Sequence, residues 1–194
     1  MKSQQIQSRS ASAPPDVEDE ARLIQLAKQN PALFAPLYER YFDRVYAYCF
    51  RRTENSQEAE DLCSLVFTRA LSGLHTYREG VFAAWLFGIA HNVVVDYYHK
   101  RRPLVSIEEV ELPVDDDVTT IELADDGRIL RELIDQLTDE QRDLLAMSLE
   151  SDLSSQEIGD ALGKSAGAVR VQLHRTFKQL RKHYLKLTGE QQHE

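Results

Sequence analysis

Residues 153–178 read LSSQEIGDALGKSAGAVRVQLHRTFK, and the punctuation in this stretch decides the fold. Ser154 with Glu157 has the spacing of a capping box, Ile158, Ala161 and Leu162 supply the apolar stripe of a short helix, and Gly163 stops it. Ser165 then caps a longer helix. A short helix, a tight glycine turn and a capped second helix make the helix-turn-helix signature. On the second helix Val169, Leu173, Thr176, Phe177, Leu180 and Tyr184 fall on one side, and Val171, His174, Arg175, Lys178 and Lys182 share the other. That division suits a helix that packs one stripe on its own domain and lays the other in a DNA major groove, whose width admits one helix. Arginine there can bind guanine edges in a bidentate way, and Lys164 and Ser165 at the helix start can hold phosphate. The competing readings are a solvated basic helix and a basic amphipathic segment on a membrane surface. The capped helix and glycine turn ahead of it disfavour both.

Outward from this stretch the periodicity stays helical, and no run alternates convincingly at the period of a strand. Toward the N-terminus of the same region, Ile129, Leu133, Ile134 and Leu137 mark one helix, and Thr138 with Gln141 caps another that buries Leu144, Leu145 and Leu149. Residues 128–188 therefore read as a four-helix domain. Ahead of it, residues 104–127 carry nine acidic side chains, no basic one, and Pro113. This is a linker whose self-repulsion favours extension. Its 24 residues reach about 80 Å at full stretch, enough for two modules to sit about two DNA turns apart, each turn being roughly 34–36 Å.

Residues 21–103 read as an N-terminal helical bundle. Asn30-Pro31 is a helix start, with Pro36 kinking the segment or marking its true beginning. Asn55 with Glu58 opens the cleanest helix, on which Ala59, Leu62, Cys63, Val66, Phe67, Ala70 and Leu71 form one buried stripe. Leu65 falls off that stripe near Asp61, where it is either a docking contact or a singly exposed leucine. A long helix from about Val81 to Arg102 has Phe82, Trp85, Leu86, Ile89, Val93 and Tyr97 as its buried face, with His91, Asn92, His99 and Lys100 away from it. It ends in Lys100-Arg101-Arg102 before Pro103. Three consecutive cations suit the helix dipole and also suit phosphate.

Composition sets the outer limits. A chain of 194 residues with 42% hydrophobic and 28% charged residues can bury a core and is neither disordered throughout nor collagen-like. The longest apolar stretch, Val81 to Ala90, is about half the roughly 18 residues a spanning helix needs, so no membrane insertion is expected. The net charge of −9 misleads, because the acidic linker supplies all of the deficit, while residues 161–189 hold seven basic side chains and no acidic one. That is a local electrostatic footprint for nucleic acid. Cys49 and Cys63 fall on apolar helix faces and read as buried thiols. Residues 1–20 and 189–194 read as tails, the first without the hydrophobic stretch of a secretory signal. Six scattered histidines, with no Gly-rich phosphate loop, nucleophile elbow or HExxH, point away from an enzyme, a metal site and a cofactor.

The chain resembles a bacterial RNA polymerase sigma factor of the small, extracytoplasmic-function type within the sigma-70 family, from about residue 21 to 187. Three blocks carry the resemblance, in order. The first is Ala59-Glu60-Asp61-Leu62 through Phe67-Thr68-Arg69-Ala70, similar to the family's polymerase-docking helix. The second comprises Phe82, Trp85-Leu86, Ile89-Ala90, Asn92 and Asp96-Tyr97, followed by Lys100-Arg101-Arg102, and is similar to the promoter-melting helix. The third is Leu153-Ser154, Glu157-Ile158, Leu162-Gly163, Ser165, Gly167, Val169-Arg170 and Leu173-His174-Arg175, similar to the C-terminal reader.

The resemblance implies an all-α fold of two small helical domains joined by a flexible acidic linker. It also implies a cytoplasmic, non-catalytic specificity subunit whose partners are core RNA polymerase, through its β′ clamp and β flap, promoter DNA, and in some systems an anti-sigma protein. Asp61, Ser64 and Leu65 would face polymerase. Tyr77, His91, Asn92, His99, Lys100, Arg101 and Arg102 would read and open the minus-ten element, with Tyr77 either stacking on a base or packed on the core. Lys164, Ser165, Arg170, Val171, His174, Arg175 and Lys178 would read the minus-thirty-five element. Ser64 stands where many relatives have glutamine, His91 replaces a common arginine, and Val171-Gln172 replace the usual serine and arginine, which shifts preference toward an apolar contact such as a thymine methyl. The alternative reading is a polymerase-independent helix-turn-helix regulator with an N-terminal sensing or dimerising bundle.

Overall fold

The computed structural model describes residues 17–101 and 124–188; tail residues 1–16 and 189–194, Arg102 and most of the acidic linker lie outside the described residues. Those described are helical and contain no strand. In order the helices are α1 (Val17–Gln29), α2 (Ala35–Thr53), α3 (Ser56–Gly73), α4 (Phe82–Arg101), α5 (Ala124–Asp135), α6 (Asp139–Glu150), α7 (Ser155–Leu162) and α8 (Ala166–Thr188), with short 3-10 turns at Pro31–Phe34 and Leu74–Thr76. They fall into two compact units, one ending at Arg40 and one beginning at Tyr41. In the first, Arg40 pairs with Asp19 at 3.0 Å and Glu20 at 3.7 Å.

Local chemistry sets the boundaries. The Asn30 side chain accepts from the Ala32 N–H at 3.1 Å, but Pro31 opens a 3-10 turn, and α2 proper begins at Ala35 beside Pro36. The Asn55 side chain accepts from the Glu58 N–H at 3.0 Å to start α3. Thr138–Gln141 and Ser154–Glu157 form complete capping boxes at α6 and α7. Gly163 closes α7 in the left-handed region at φ 66°, which costs glycine nothing. Two sequence boundaries move: residues 17–20 begin α1 and do not belong to a tail, and residues 124–127 begin α5 and do not belong to the linker.

Within the second unit, α3 packs on α4, α5 and α6 pack on α8, and α7 bridges α4 and α8. Val45, Tyr48, Cys49, Val66, Leu86, Phe87 and Val94 are fully buried, as are Met147 and Val169 near the C-terminal end. Both thiols are free and buried, as their apolar positions required, and burial pushes Cys63 up to about 12.

Three expected stripes need correction. Helix α4 is not amphipathic: Phe82, Ala83, Ala84, Leu86, Phe87, Ala90, Val93 and Val94 are all buried, whereas Trp85, Ile89 and Tyr97 are only half-buried. A helix enclosed by neighbours on several sides loses the one-sided pattern. On α6, Met147 and Ala146 join Leu144 in the core while Leu149 is 51% exposed. On α8, Val169 and Thr176 are buried but Phe177 and Tyr184 are exposed, because the long helix outruns the short helices that cover it.

Candidate nucleic-acid interface

The α8 face is built from its turn. The Lys164 N–H donates to the Gly159 carbonyl at 2.8 Å, the Ser165 hydroxyl accepts from the Ala168 N–H at 3.2 Å, and Val169 and Thr176 sink one side into the core. Arg170, Val171, His174, Arg175 and Lys178 then emerge together as exposed side chains, with Val171, His174, Arg175 and Lys178 at i, i+3, i+4 and i+7 on one line. The cationic stripe has an apolar point in it. Val171 is 49% exposed, suited to a methyl group at a base edge. Ser165 is committed to its cap, which leaves the hydroxyl only secondary capacity for phosphate. Lys164 is half-buried and hydrogen-bonded to Glu140, an interaction that holds the Glu140 carboxyl below the usual carboxylate range.

The residues assigned to the minus-ten element do not form one surface. Asn92, His99, Lys100 and Arg101 are exposed along α4. Arg101 lies 2.7 Å from Glu58 of α3, donates to the Tyr97 hydroxyl, and covers the Tyr97 ring at 4.9 Å. Tyr77 takes the core side of the alternative left open by sequence. It is 9% exposed, its hydroxyl donates to the Gly80 carbonyl at 2.7 Å, and its ring meets Phe82 and Trp85, each with centroids 5.5 Å away. The exposed groups of that loop are Arg78, Glu79 and Val81. His91 does not lie in the open either: its Nδ1 is 2.6 Å from the Asp143 carboxylate of α6.

Asp61, Ser64 and Leu65 are exposed together on the outer side of α3, opposite the buried Leu62, Cys63, Val66 and Phe67. Leu65 is 39% exposed. These three residues leave an acidic group beside an apolar one on a rigid helix.

Sequence reasoning missed the polar cluster around Asp143, which is 5% exposed. Tyr48 of α2 donates its hydroxyl to Asp143, and Arg52 Nε lies 3.5 Å from it. Burial, with the carboxylate beside it, pushes the Tyr48 phenol well above its ordinary range, so it remains a donor. The available signal was a carboxylate in register with Met147 and Leu144 on the buried stripe of α6. Among the described residues no group of histidine, cysteine, aspartate and glutamate is arranged to hold a metal ion, and no helix is long and apolar enough to cross a membrane.

Residues 37–103 match the sequence profile of Sigma-70 region 2, and residues 127–180 match that of Sigma-70, region 4. The chain is 31% identical over 176 residues to the ECF RNA polymerase sigma factor BldN of Streptomyces coelicolor, an alignment covering 84% of this chain and 66% of BldN. It is 31% identical over 160 residues to the ECF RNA polymerase sigma factor SigX of Bacillus subtilis, covering 77% of this chain and 82% of SigX. The chain thus spans just under two thirds of BldN and most of SigX. Among solved structures it is similar to the sigma factor RpoE in complex with the anti-sigma factor NepR from Bartonella quintana, with a TM-score of 0.59 and 18% identity over 82% of this chain and 98% of that one. At that identity the likeness bears on the fold.

Proposed function

We infer, from the premise that this chain belongs to the extracytoplasmic-function group of the sigma-70 family of RNA polymerase sigma factors, that it binds core RNA polymerase and directs promoter-specific initiation of transcription. Residues 21–103 are the module that docks on the β′ clamp and opens the minus-ten element. Residues 128–188 are the module that meets the β flap and reads the minus-thirty-five element. Chemistry stays with the polymerase, so this chain acts in the cytoplasm as a specificity subunit and not as an enzyme.

The observation that carries the reading is the exposed Arg170, Val171, His174, Arg175 and Lys178 stripe, held by a capped turn against the buried Val169 and Thr176. A recognition helix needs that separation of faces. Asn92, His99, Lys100 and Arg101 supply donors along α4 for a separated strand, whose opening costs a few kcal/mol recovered by contacts to the unpaired bases. Arg101 reaches DNA by exchanging its Glu58 partner for phosphate. Asp61 and Leu65 give polymerase a charged and an apolar contact on one helix face. An anti-sigma protein, as seen bound to RpoE, is a further partner of this class.

The test is transcription with purified core polymerase over a randomised promoter library, with and without this chain. New start sites sharing an upstream motif are expected only when it is present; indifference of start-site choice to its addition overturns the reading.

A further inference from the structure

The second half of α4 carries a carboxylate in the middle of its polar side. Asn92, Asp96 and Lys100 follow one another at i, i+4 and i+8, and all three are exposed. Neighbours at that spacing lie about 5–6 Å apart at Cβ, and an acid four residues ahead of a lysine is well placed to capture its ammonium. A path for a polyanionic strand gains nothing from either a bare carboxylate or a captured lysine. The Asp96 carboxylate is instead taken from outside the helix. Its Oδ2 accepts from Arg69 Nη1 of α3 at 3.0 Å, with the two side chains 50% and 39% exposed.

Arg69 can do this because of where α3 packs. Val66, Phe67 and Ala70 around it are buried, and α3 lies against α4, so Arg69 stands at the edge of that contact and reaches across it. The two cations that follow on α4 then differ in what they have left to offer. Arg101 is paired with Glu58 of α3 at 2.7 Å, whereas Lys100 makes no ion pair among the described residues. An exposed ion pair adds little to stability, since two long side chains must be held in one geometry while water screens them. The consequence of the Arg69–Asp96 pair lies in the charge it leaves free. A free ammonium that meets a phosphate releases the counterion held there, and one already bound to a carboxylate does not.

We propose that Arg69 is a positioning residue for the opened minus-ten strand: by holding Asp96 it leaves Lys100 free to meet phosphate. This rests on the function proposed above. Arg69 belongs to the stretch of α3 that resembles a polymerase-docking helix, yet it acts through α4. Without it Asp96 turns to Lys100, and the strand loses a cation. The proposal carries a sign that a simple staple between α3 and α4 does not. A staple is broken equally by removing either partner, whereas here removing Arg69 weakens strand binding and removing the charge of Asp96 does not.

The experiment uses the full chain bound to core polymerase, at core concentrations that saturate each variant, so that docking does not enter the reading. The probe is a fluorescent single-stranded DNA with the minus-ten sequence of a library-selected promoter, titrated across salt. Arg69→Ala is expected to bind it several-fold more weakly, with a log-log salt slope flatter by about 0.7, the share of one phosphate contact on a single strand. Lys100→Ala should do the same, and adding it to Arg69→Ala should flatten the slope no further. Arg69→Ala with Asp96→Asn should regain the parent's slope, as should Arg69→Lys, and Asp96→Asn alone should bind at least as well as the parent. The proposal is overturned if Arg69→Ala keeps the parent's slope, or if adding Asp96→Asn leaves it as weak as before. It is overturned equally if Asp96→Asn weakens binding as Arg69→Ala does, the mark of a staple. Should Arg69→Ala lose helix content, Asp96→Asn and Arg69→Lys decide alone. If the parent supports no promoter-specific transcription, the proposed function fails instead, and slopes of the free chain on a random-sequence single strand still read whether Arg69 frees Lys100.

Discussion

A Cβ built on Gly159 falls 2.5 Å from the carbonyl oxygen of Lys164. The turn joining α7 to α8 therefore closes onto a position with no room for a side chain, and Gly159→Ala must displace backbone. Overpacking of this kind costs about 1–3 kcal/mol. Because the displaced turn carries Lys164 and Ser165, duplex affinity is expected to fall several-fold along with the melting temperature. Thermal melts and fluorescence anisotropy check both; an unchanged melt means the turn yields without strain.

The features legible in the sequence were the local ones. Both capping boxes and the Gly163 stop join residues within four positions of one another, so composition at fixed offsets was enough to place them. The α4 stripe differs from expectation because Ala83, Ala84, Phe87 and Val94 are buried in addition to Phe82 and Leu86, so only the second half of the helix, through Asn92, Asp96, His99 and Lys100, keeps an exposed polar side. The place of Asp143 on the buried stripe of α6 is a local signal, but its partners leave none. Its partners lie 95 and 52 positions away, and a carboxylate next to leucines carries no local sign of an arginine arriving from another helix. Sequence leaves Tyr77 between two roles since a loop aromatic has no period, and only the Phe82 and Trp85 rings around it decide.

Arg175 and Lys178 are both exposed on the reader helix, yet their chemistry differs. A guanidinium on a base edge discriminates sequence, whereas an ammonium on phosphate does not. Arg175→Ala is expected to cost about 1–3 kcal/mol on the preferred promoter and to relax selectivity at one position. Lys178→Ala should weaken all duplexes alike and flatten the log-log salt slope by about one. Binding titrations across salt on matched and mismatched duplexes separate the two; identical behaviour of both variants removes the distinction.

The α3 face makes a prediction in which stability and function part company. Asp61 and Leu65 are exposed, so Asp61→Asn with Leu65→Ser should leave the unfolding free energy within about 0.5 kcal/mol of the parent's. Affinity for core polymerase is nevertheless expected to fall at least tenfold, since a few residues carry most of the energy of an interface and the double variant removes both the charge and the apolar contact of this face. Gel filtration with core polymerase, beside urea unfolding, reads both quantities. Full retention of polymerase binding would move the docking surface elsewhere.

Cys63 is 1% exposed, and burial raises its pKa from near 9 to about 12. The sign follows from proton linkage. The unfolded thiol ionises near pH 9 while the folded one holds its proton, so the thiol's contribution is fully present below pH 9. It is lost progressively as pH climbs from about 9 toward about 12, at up to about 1.4 kcal/mol per pH unit. Cys49 and Tyr48, both pushed upward chiefly by burial, act in the same direction. Stability is therefore expected to decline steeply above pH 9. Cys63→Ala removes one titrating proton and should lose stability at neutral pH through its smaller side chain, yet decline less steeply between pH 9 and 11. Urea midpoints measured across that range for parent and variant give the two slopes, and parallel slopes would mean that this thiol ionises in the folded state as readily as in the unfolded one.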